Sequence, residues 1–274
     1  MQLCDIGVNL TNNRFNDDWQ ECIQNANAVG VDKLIITGTD IQESKDAVQM
    51  AKQYPSQCYT TAGIHPHYAK DAVDTQNKAN FYKNLVALAQ QPEVVAIGEC
   101  GLDFNRNFSP REAQLSVFEA QLNIATELNM PVFLHERDAF DEQMNLLKKY
   151  RSSLVGGVVH CFTGNINQIK AYLDLDFYIG ITGWLCDPKR GKDLREAVTA
   201  LPLSRLLLET DAPYLMPKSL KASSKRNEPS NLPHIAEQLT SIINEYSDDN
   251  SATLSVEQIT QASYQNSLQL FGLN

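Results

Sequence analysis

Five residues carry side chains suited to holding a divalent metal ion or moving a proton, and each closes a short apolar run. They are His65 in AGIHPH, Glu99 in VVAIGEC, His135 in VFLHER, His160 in GVVHCF and Asp211 in LLLETDAP. The chain has five histidines in all, and four of them, His65, His67, His135 and His160, occupy such places. The fifth, His234, falls in a helical stretch and is expected to be a surface or capping residue. Imidazole and carboxylate donors suit Zn, Mn and Mg in different degrees: two histidines favour Zn or Mn, while a carboxylate-rich, partly hydrated site can run on Mg. No cysteine belongs to the donor set, which favours an open, catalytic site over a closed structural zinc site. An ion held this way lowers the pKa of a water and neutralises charge on a substrate oxygen, so the chemistry in view is metal-assisted hydrolysis.

The residues beside the candidate ligands sharpen the picture. Pro66 biases His65 toward an extended backbone, so His65 and His67 project from a fixed turn where two imidazoles would meet a phosphate or hold a water. Glu209 lies two residues before Asp211 and shares its inward face; it is expected to hold a ligand or a water, with a simple charge pair near the strand end as the alternative. The same alternation turns Cys100 and Cys161 away from Glu99 and His160, which makes both structural.

These positions need a frame that brings several strand ends together. Eight apolar, β-branched runs recur along the chain: LCDIGVNL, KLIITGT, CYTTAGIH, EVVAIGE, MPVFLHE, GGVVHCF, DFYIGIT and RLLLETD. Between them lie stretches of helical periodicity at residues 17–30, 41–53, 78–90, 110–128, 138–150, 165–173 and 190–200. Alternating strands and helices argue for parallel βαβ units, and eight of them for an α/β fold closed into a (β/α)8 TIM barrel. A doubly wound open sheet is the alternative, but GVNLTNNRF after the first strand is no GxGxxG turn. In a barrel the strand ends converge on one mouth, where the active sites of this fold lie. One domain spanning residues 1–274 is expected. LPHIAEQLTSIINEY reads as the eighth barrel helix, with Pro233 in its first turn and an apolar face of Ile235, Leu239, Ile242 and Tyr246. Ser255 and Gln258 stand in capping-box spacing ahead of a closing helix.

Bulk properties narrow the function classes. A formal charge of -10 argues against a protein that coats nucleic acid by a basic face, though not against an enzyme with a local basic patch. The loop over residues 216–231 supplies such a patch, with Lys218, Lys221, Lys225 and Arg226. Arg226 is the best candidate there to grip a phosphate, because its planar fork donates two hydrogen bonds. Six cysteines without a CxxC pair suggest neither a zinc knuckle nor a disulfide framework. No apolar run approaches the roughly 18 residues of a membrane helix, and the opening MQLCDIGVNL has no signal-peptide pattern. A cytoplasmic monomer that does not bind membranes is expected.

The segments DIGVNL, TAGIHPH, AIGECGLDF, MPVFLHERDA, GVVHCFTG, YIGITGW, LLLETDAPYL and KRNEPSNLPHI, in this order, resemble the TatD-type deoxyribonucleases of the metal-dependent hydrolase superfamily from residue 3 to residue 272. The resemblance implies a (β/α)8 barrel that hydrolyses DNA from the 3′ end with single strands preferred. It implies that Glu99, His135 and His160 are metal ligands, that Asp211 binds metal or activates water, and that His65 lies near the scissile phosphate. Asn9, His67 and Arg226 are the expected substrate-binding residues. The expected cofactor is a divalent ion, Mg ahead of Mn and Zn, one or two per chain. One departure stands out: many relatives carry an HxH pair on the first strand where this chain has Gly7 and Asn9, which removes two imidazoles from one metal position. Hydrolysis of a small phosphoester, amide or lactone, and a barrel kept as a binding scaffold, are the rival functions.

Overall fold

The computed structural model describes residues 2–73, 78–221, 225–246 and 253–273. Its strands are β1 Leu3–Val8, β2 Val31–Ile36, β3 Cys58–Ala62, β4 Val94–Asp103, β5 Val132–Arg137, β6 Gly157–Val159, β7 Tyr178–Ile181 and β8 Leu206–Leu208. The helices are α1 Trp19–Ala28, α2 Ile41–Ala51, α3 Ala69–Val73, α4 Lys78–Ala89, α5 Arg111–Leu128, α6 Phe140–Tyr150, α7 Ile166–Asp174, α8 Lys192–Ala197, α9 Leu232–Tyr246 and α10 Val256–Phe271. The strands hydrogen-bond in chain order from β1 to β8, and Val8 at the end of β1 bridges Ala212, just past β8, in parallel. This is the strand succession of a (β/α)8 barrel, the expected fold class. By internal packing the chain divides into two compact units.

One unit comprises Ile36–His160 with Leu175–Phe177. Its strands β3, β4, β5 and β6 pair in parallel; β4 and β6 are buried almost throughout, as expected where both faces of a sheet are covered, while β5 is buried over its first half and partly open from His135 onward. Helix α5 does more than cover the sheet. Its buried stripe of Val117, Phe118, Leu122, Ile124 and Ala125 includes two glutamines, Gln114 and Gln121. Gln121 accepts the Ile64 N–H at 2.7 Å and donates to the Ile64 carbonyl at 3.0 Å. Gln114 does the same for Asp103, at 2.9 and 3.1 Å, and also donates to the Ser109 carbonyl. A buried amide satisfies backbone groups that would otherwise be orphaned, so these two side chains fix the segments carrying His65 and Asp103.

The other unit comprises Met1–Ile35, Cys161–Asp174 and Tyr178–Asn274. Helix α10 opens with the expected capping box between Ser255 and Gln258 and ends on Gly272 in the left-handed conformation. Its Asn266 donates to the carbonyls of Leu203 and Leu206, and Ser263 accepts the Leu208 N–H, which anchors both ends of β8. In α9, Ile235, Leu239 and Ile242 are buried, but Tyr246 is 49% exposed. The expected apolar face thus stops one turn short, because Tyr246 is the last residue of the helix.

Candidate metal centre

Three imidazole nitrogens surround a single carboxylate oxygen. Glu99 Oε1 lies 2.8 Å from His135 Nδ1, 3.4 Å from His65 Nε2 and 3.5 Å from His160 Nε2. Their positions follow from the strands of the first unit. Glu99 is on β4 and His135 on β5, in adjacent parallel strands, and His160 follows the last residue of β6 with its N–H on the Leu134 carbonyl. His65 stands before the turn Pro66–Tyr68 with φ −62° and ψ 145°, the extended backbone expected of a residue before proline. Glycines let β4 approach β5 this closely: Gly98 (φ +147°) and Gly101 (φ +139°) both adopt a conformation L residues avoid, and a Cβ would stand 2.2 Å from the Phe133 carbonyl and 2.0 Å from that of His135.

Strand β4 does not end at Glu99, as its apolar run suggested, but continues to Asp103. Positions 99, 101 and 103 share a face, and the buried Asp103 joins the cluster. Its Oδ2 is 2.8 Å from His67 Nε2 and 3.7 Å from His135 Nε2. Asp103 was absent from the sequence-derived site, although it lies inside AIGECGLDF; the signal was period two, counted onward from Glu99.

Electrostatics sort the histidines. Burial pushes Glu99 up, but the imidazoles of His65, His160 and His135 outweigh it and hold the carboxyl well below the usual carboxylate range. Asp103 is likewise held low: burial raises it, and the nearby His135 imidazole with hydrogen bonds from His67 and the Arg106 N–H outweighs that. His135 goes the other way, since burial favours its neutral form but the carboxylates of Asp103 and Glu99 raise it to about 9. Burial dominates at His65 and lowers it to about 4, leaving it neutral at pH 7. Its Nδ1 accepts the His67 N–H at 3.1 Å, so the proton of the neutral ring sits on Nε2.

The cluster fits a divalent cation. The ligand atoms of His65, Glu99 and His135 all lie within 4.8 Å of one another. The 3.4 and 3.5 Å separations about Glu99 match an edge of a coordination shell whose bonds are about 2.1 Å long. His135 presents Nδ1 to Glu99 Oε1 at 2.8 Å, while its buried Nε2 makes no hydrogen bond and faces Asp103 Oδ2 at 3.7 Å. His135 and His160 with the Glu99 carboxylate form a nitrogen and oxygen donor set of the open, catalytic kind.

The second unit presents its own polar cluster at the ends of β1 and β8. Asn9 Nδ2 donates to Asp211 Oδ1 at 3.0 Å and to the Ala212 carbonyl at 3.2 Å. Asp211, with φ +54°, donates its N–H to the Gly7 carbonyl. Buried Glu209 accepts the Cys161 N–H at 2.5 Å, so its carboxylate grips the backbone at the residue following His160. Asp5 and Asn227 had no place in the sequence-derived site, yet both are buried around Thr210. Asp5 accepts the Thr210 N–H at 2.9 Å, and Asn227 donates to the Thr210 carbonyl at 2.9 Å.

Two expectations fail on geometry. Arg226 does not offer its fork to a phosphate: it donates to both carboxylate oxygens of Asp18 at 2.8 and 2.6 Å, to Glu228 at 2.8 Å and to the Arg14 carbonyl at 2.6 Å, stacked over Phe15. It ties the loop to the α1 segment. Lys218 is similarly occupied by Asp187 at 2.8 Å, whereas Lys221 and Lys225 are exposed; residues 222–224 of the same loop lie outside the described residues. The alternation argument also fails at Cys161, because β6 stops at Val159 and Cys161 has φ +46°. It holds for Cys100, whose buried thiol lies against the carbonyls of Ile97 and Phe133. His234, expected to be a surface or capping residue, is instead half-buried and bonded to Ser219 in the preceding loop.

Comparison with known proteins finds close relatives over most of the chain. The chain is 52% identical over 237 residues to the 3′-5′ ssDNA/RNA exonuclease TatD of Shigella flexneri serotype 5b, covering 86% of this chain and 89% of that protein. It is 51% identical, with the same coverage, to the protein of that name from Escherichia coli K12. Among solved structures, a TatD family hydrolase from Entamoeba histolytica superposes with a TM-score of 0.87 at 27% identity, over 100% of this chain and 99% of the other. A TatD homologue from Escherichia coli K12 gives 0.85 at 26% identity, over 99% and 98%. The family model of TatD-related DNases matches residues 4–272. The chain belongs to the TatD-related DNase family.

Proposed function

We propose that this protein is a metal-dependent 3′-5′ exonuclease that hydrolyses single-stranded DNA to 5′-mononucleotides, with RNA as a further substrate in keeping with the names of its relatives. The observation that carries this is the convergence of three imidazoles on Glu99 Oε1.

Glu99, His135 and His160 hold the cation, and Mg is its proposed identity ahead of Mn and Zn, with one or two ions per chain. When bound, the ion supplies Lewis-acid chemistry: it neutralises charge on the phosphoryl group and makes a water more acidic. The protein's own residues do the rest. Asp211, at the end of β8 where barrel enzymes place catalytic groups, takes the proton of the attacking water. His65, neutral with its proton on Nε2, donates to a non-bridging phosphate oxygen. Water adds to phosphorus, the bond to the 3′-oxygen of the preceding nucleotide breaks, and that oxygen leaves with the proton that Asp211 took from the water. Asp103 orients His67 and His135 through its carboxylate. Glu209 fixes the backbone after His160. Asn9 and His67 meet the substrate.

No described helix is long and apolar enough to cross a membrane, and we place the enzyme in the cytoplasm as a single catalytic domain acting as a monomer. The test is digestion of a 5′-labelled single-stranded oligonucleotide beside a panel of small phosphoesters, amides and lactones. A ladder shortening from the 3′ end, abolished by chelator, is expected; turnover confined to a small ester would overturn the proposal.

A further inference from the structure

Phe108 is an apolar ring left 55% exposed on a segment that is otherwise tied down. Asp103 Oδ1 accepts the N–H groups of Asn105 and Arg106 at 3.0 and 2.8 Å. Asn107 Nδ2 donates to the Phe104 carbonyl at 2.6 Å. Buried Ser109 donates to the His67 carbonyl at 2.8 Å and accepts the Lys70 N–H at 3.0 Å. A single exposed ring is ordinary on a protein surface; what distinguishes Phe108 is where this fixed loop holds it.

Its neighbours define that place. The Phe108 ring packs against His67 with centroids 4.7 Å apart, and His67 against His65 at 4.2 Å. One imidazole therefore separates the exposed ring from the cluster around Glu99. The Arg106 guanidinium lies 5.9 Å from the same ring and adds positive charge beside it. Among the described residues only six large hydrophobic side chains are exposed, and two of them, Phe108 and the 41% exposed Tyr68, stand in the segments that follow β3 and β4. An enzyme that removes nucleotides one by one must grip every base, and an aromatic face does so without reading sequence, because every base has a π-face.

We propose that Phe108 is the platform on which the nucleobase beside the scissile phosphodiester stacks. This rests on the nuclease assignment above and names the group that holds its substrate. The test compares wild type, Phe108→Ala and Phe108→Trp on a single-stranded oligonucleotide and on the same strand with its two 3′-terminal residues abasic. Phe108→Ala is expected to raise KM on the natural strand about 5- to 150-fold, the range for loss of one base–aromatic stack. Its kcat should stay within about twofold of wild type, and Phe108→Trp should recover the lost KM. On the abasic strand the three proteins should be alike. In chelator, the added fluorescence of Phe108→Trp should be quenched by the natural strand and not by the abasic one. Equal loss on both strands would mean that Phe108 only positions His67 and would overturn the proposal, as would wild-type kinetics for Phe108→Ala. A wild-type protein that digests neither strand would instead bring down the nuclease assignment, and this one with it.

Discussion

Metal binding to this protein should release a proton, and Asp103→Asn should reduce that release. In the metal-free protein His135 is raised to about 9 by the carboxylates of Asp103 and Glu99 working against burial, so at pH 7 about 99% of it is imidazolium. An imidazole must lose that proton before it can bind a metal. Glu99, held well below the carboxylate range, and His65, lowered to about 4, have none to give at pH 7. Affinity should therefore rise with pH, by about tenfold per unit at most, until pH reaches about 9. Asp103 Oδ2, 3.7 Å from His135 Nε2, supplies part of the shift, so Asp103→Asn should flatten the slope. Calorimetric titration with Mn at pH 7, in buffers of different ionisation enthalpy, counts the protons directly. Wild type should release about one and Asp103→Asn fewer. An affinity independent of pH between 6 and 8, or equal proton release by both proteins, would refute the reasoning.

Other perturbations test other parts of the structure. His160→Ala should lower kcat/KM on single-stranded DNA by about 10²- to 10⁴-fold, the several kcal/mol expected of a lost Lewis acid, with the circular dichroism spectrum retained; Cys100→Ala, measured alongside, should remain active. Arg226→Ala should cost about 1–3 kcal/mol in denaturant unfolding because Asp18 and Glu228 lose their partner, while the salt dependence of DNA binding stays that of wild type; a flattened salt slope at full stability would restore the phosphate grip. Burial raises Asp5 from 3.8 to about 8, so its contribution to stability is fully present below pH 4 and is lost as pH rises to about 8, on the order of 5 kcal/mol at most. Asp5→Asn should remove that slope, and unfolding curves at pH 5 and pH 8 that shift equally in both proteins would contradict it.

The architecture was legible because its signals are local. Eight apolar runs separated by helical periodicity require no tertiary knowledge, and Ser255 with Gln258 specifies a helix start by side-chain chemistry alone. The clustered histidines were legible for the same reason: His135 and His160 close apolar runs, and a polar ring there has no packing purpose. What escaped detection depends on partners distant in sequence. Arg226 looked like an exposed cation until the fold brought Asp18 to it across more than 200 residues. Gln114 and Gln121 read as ordinary polar positions of an amphipathic helix, yet they are buried and satisfy the backbone beneath the site. Asp103 was hidden because the apolar run ends at Glu99 while the strand, carried past two glycines, does not. The short helix α3 was missed because five residues are too few to show a period.

Where the metal binds decides the proposed function most directly. Crystals grown with Mn and measured at its absorption edge should show an anomalous peak about 2 Å from Glu99, His135 and His160. That peak should vanish in Glu99→Gln crystals that are otherwise unchanged. A peak elsewhere, with none among these side chains in a protein that still digests single-stranded DNA, would contradict the assignment.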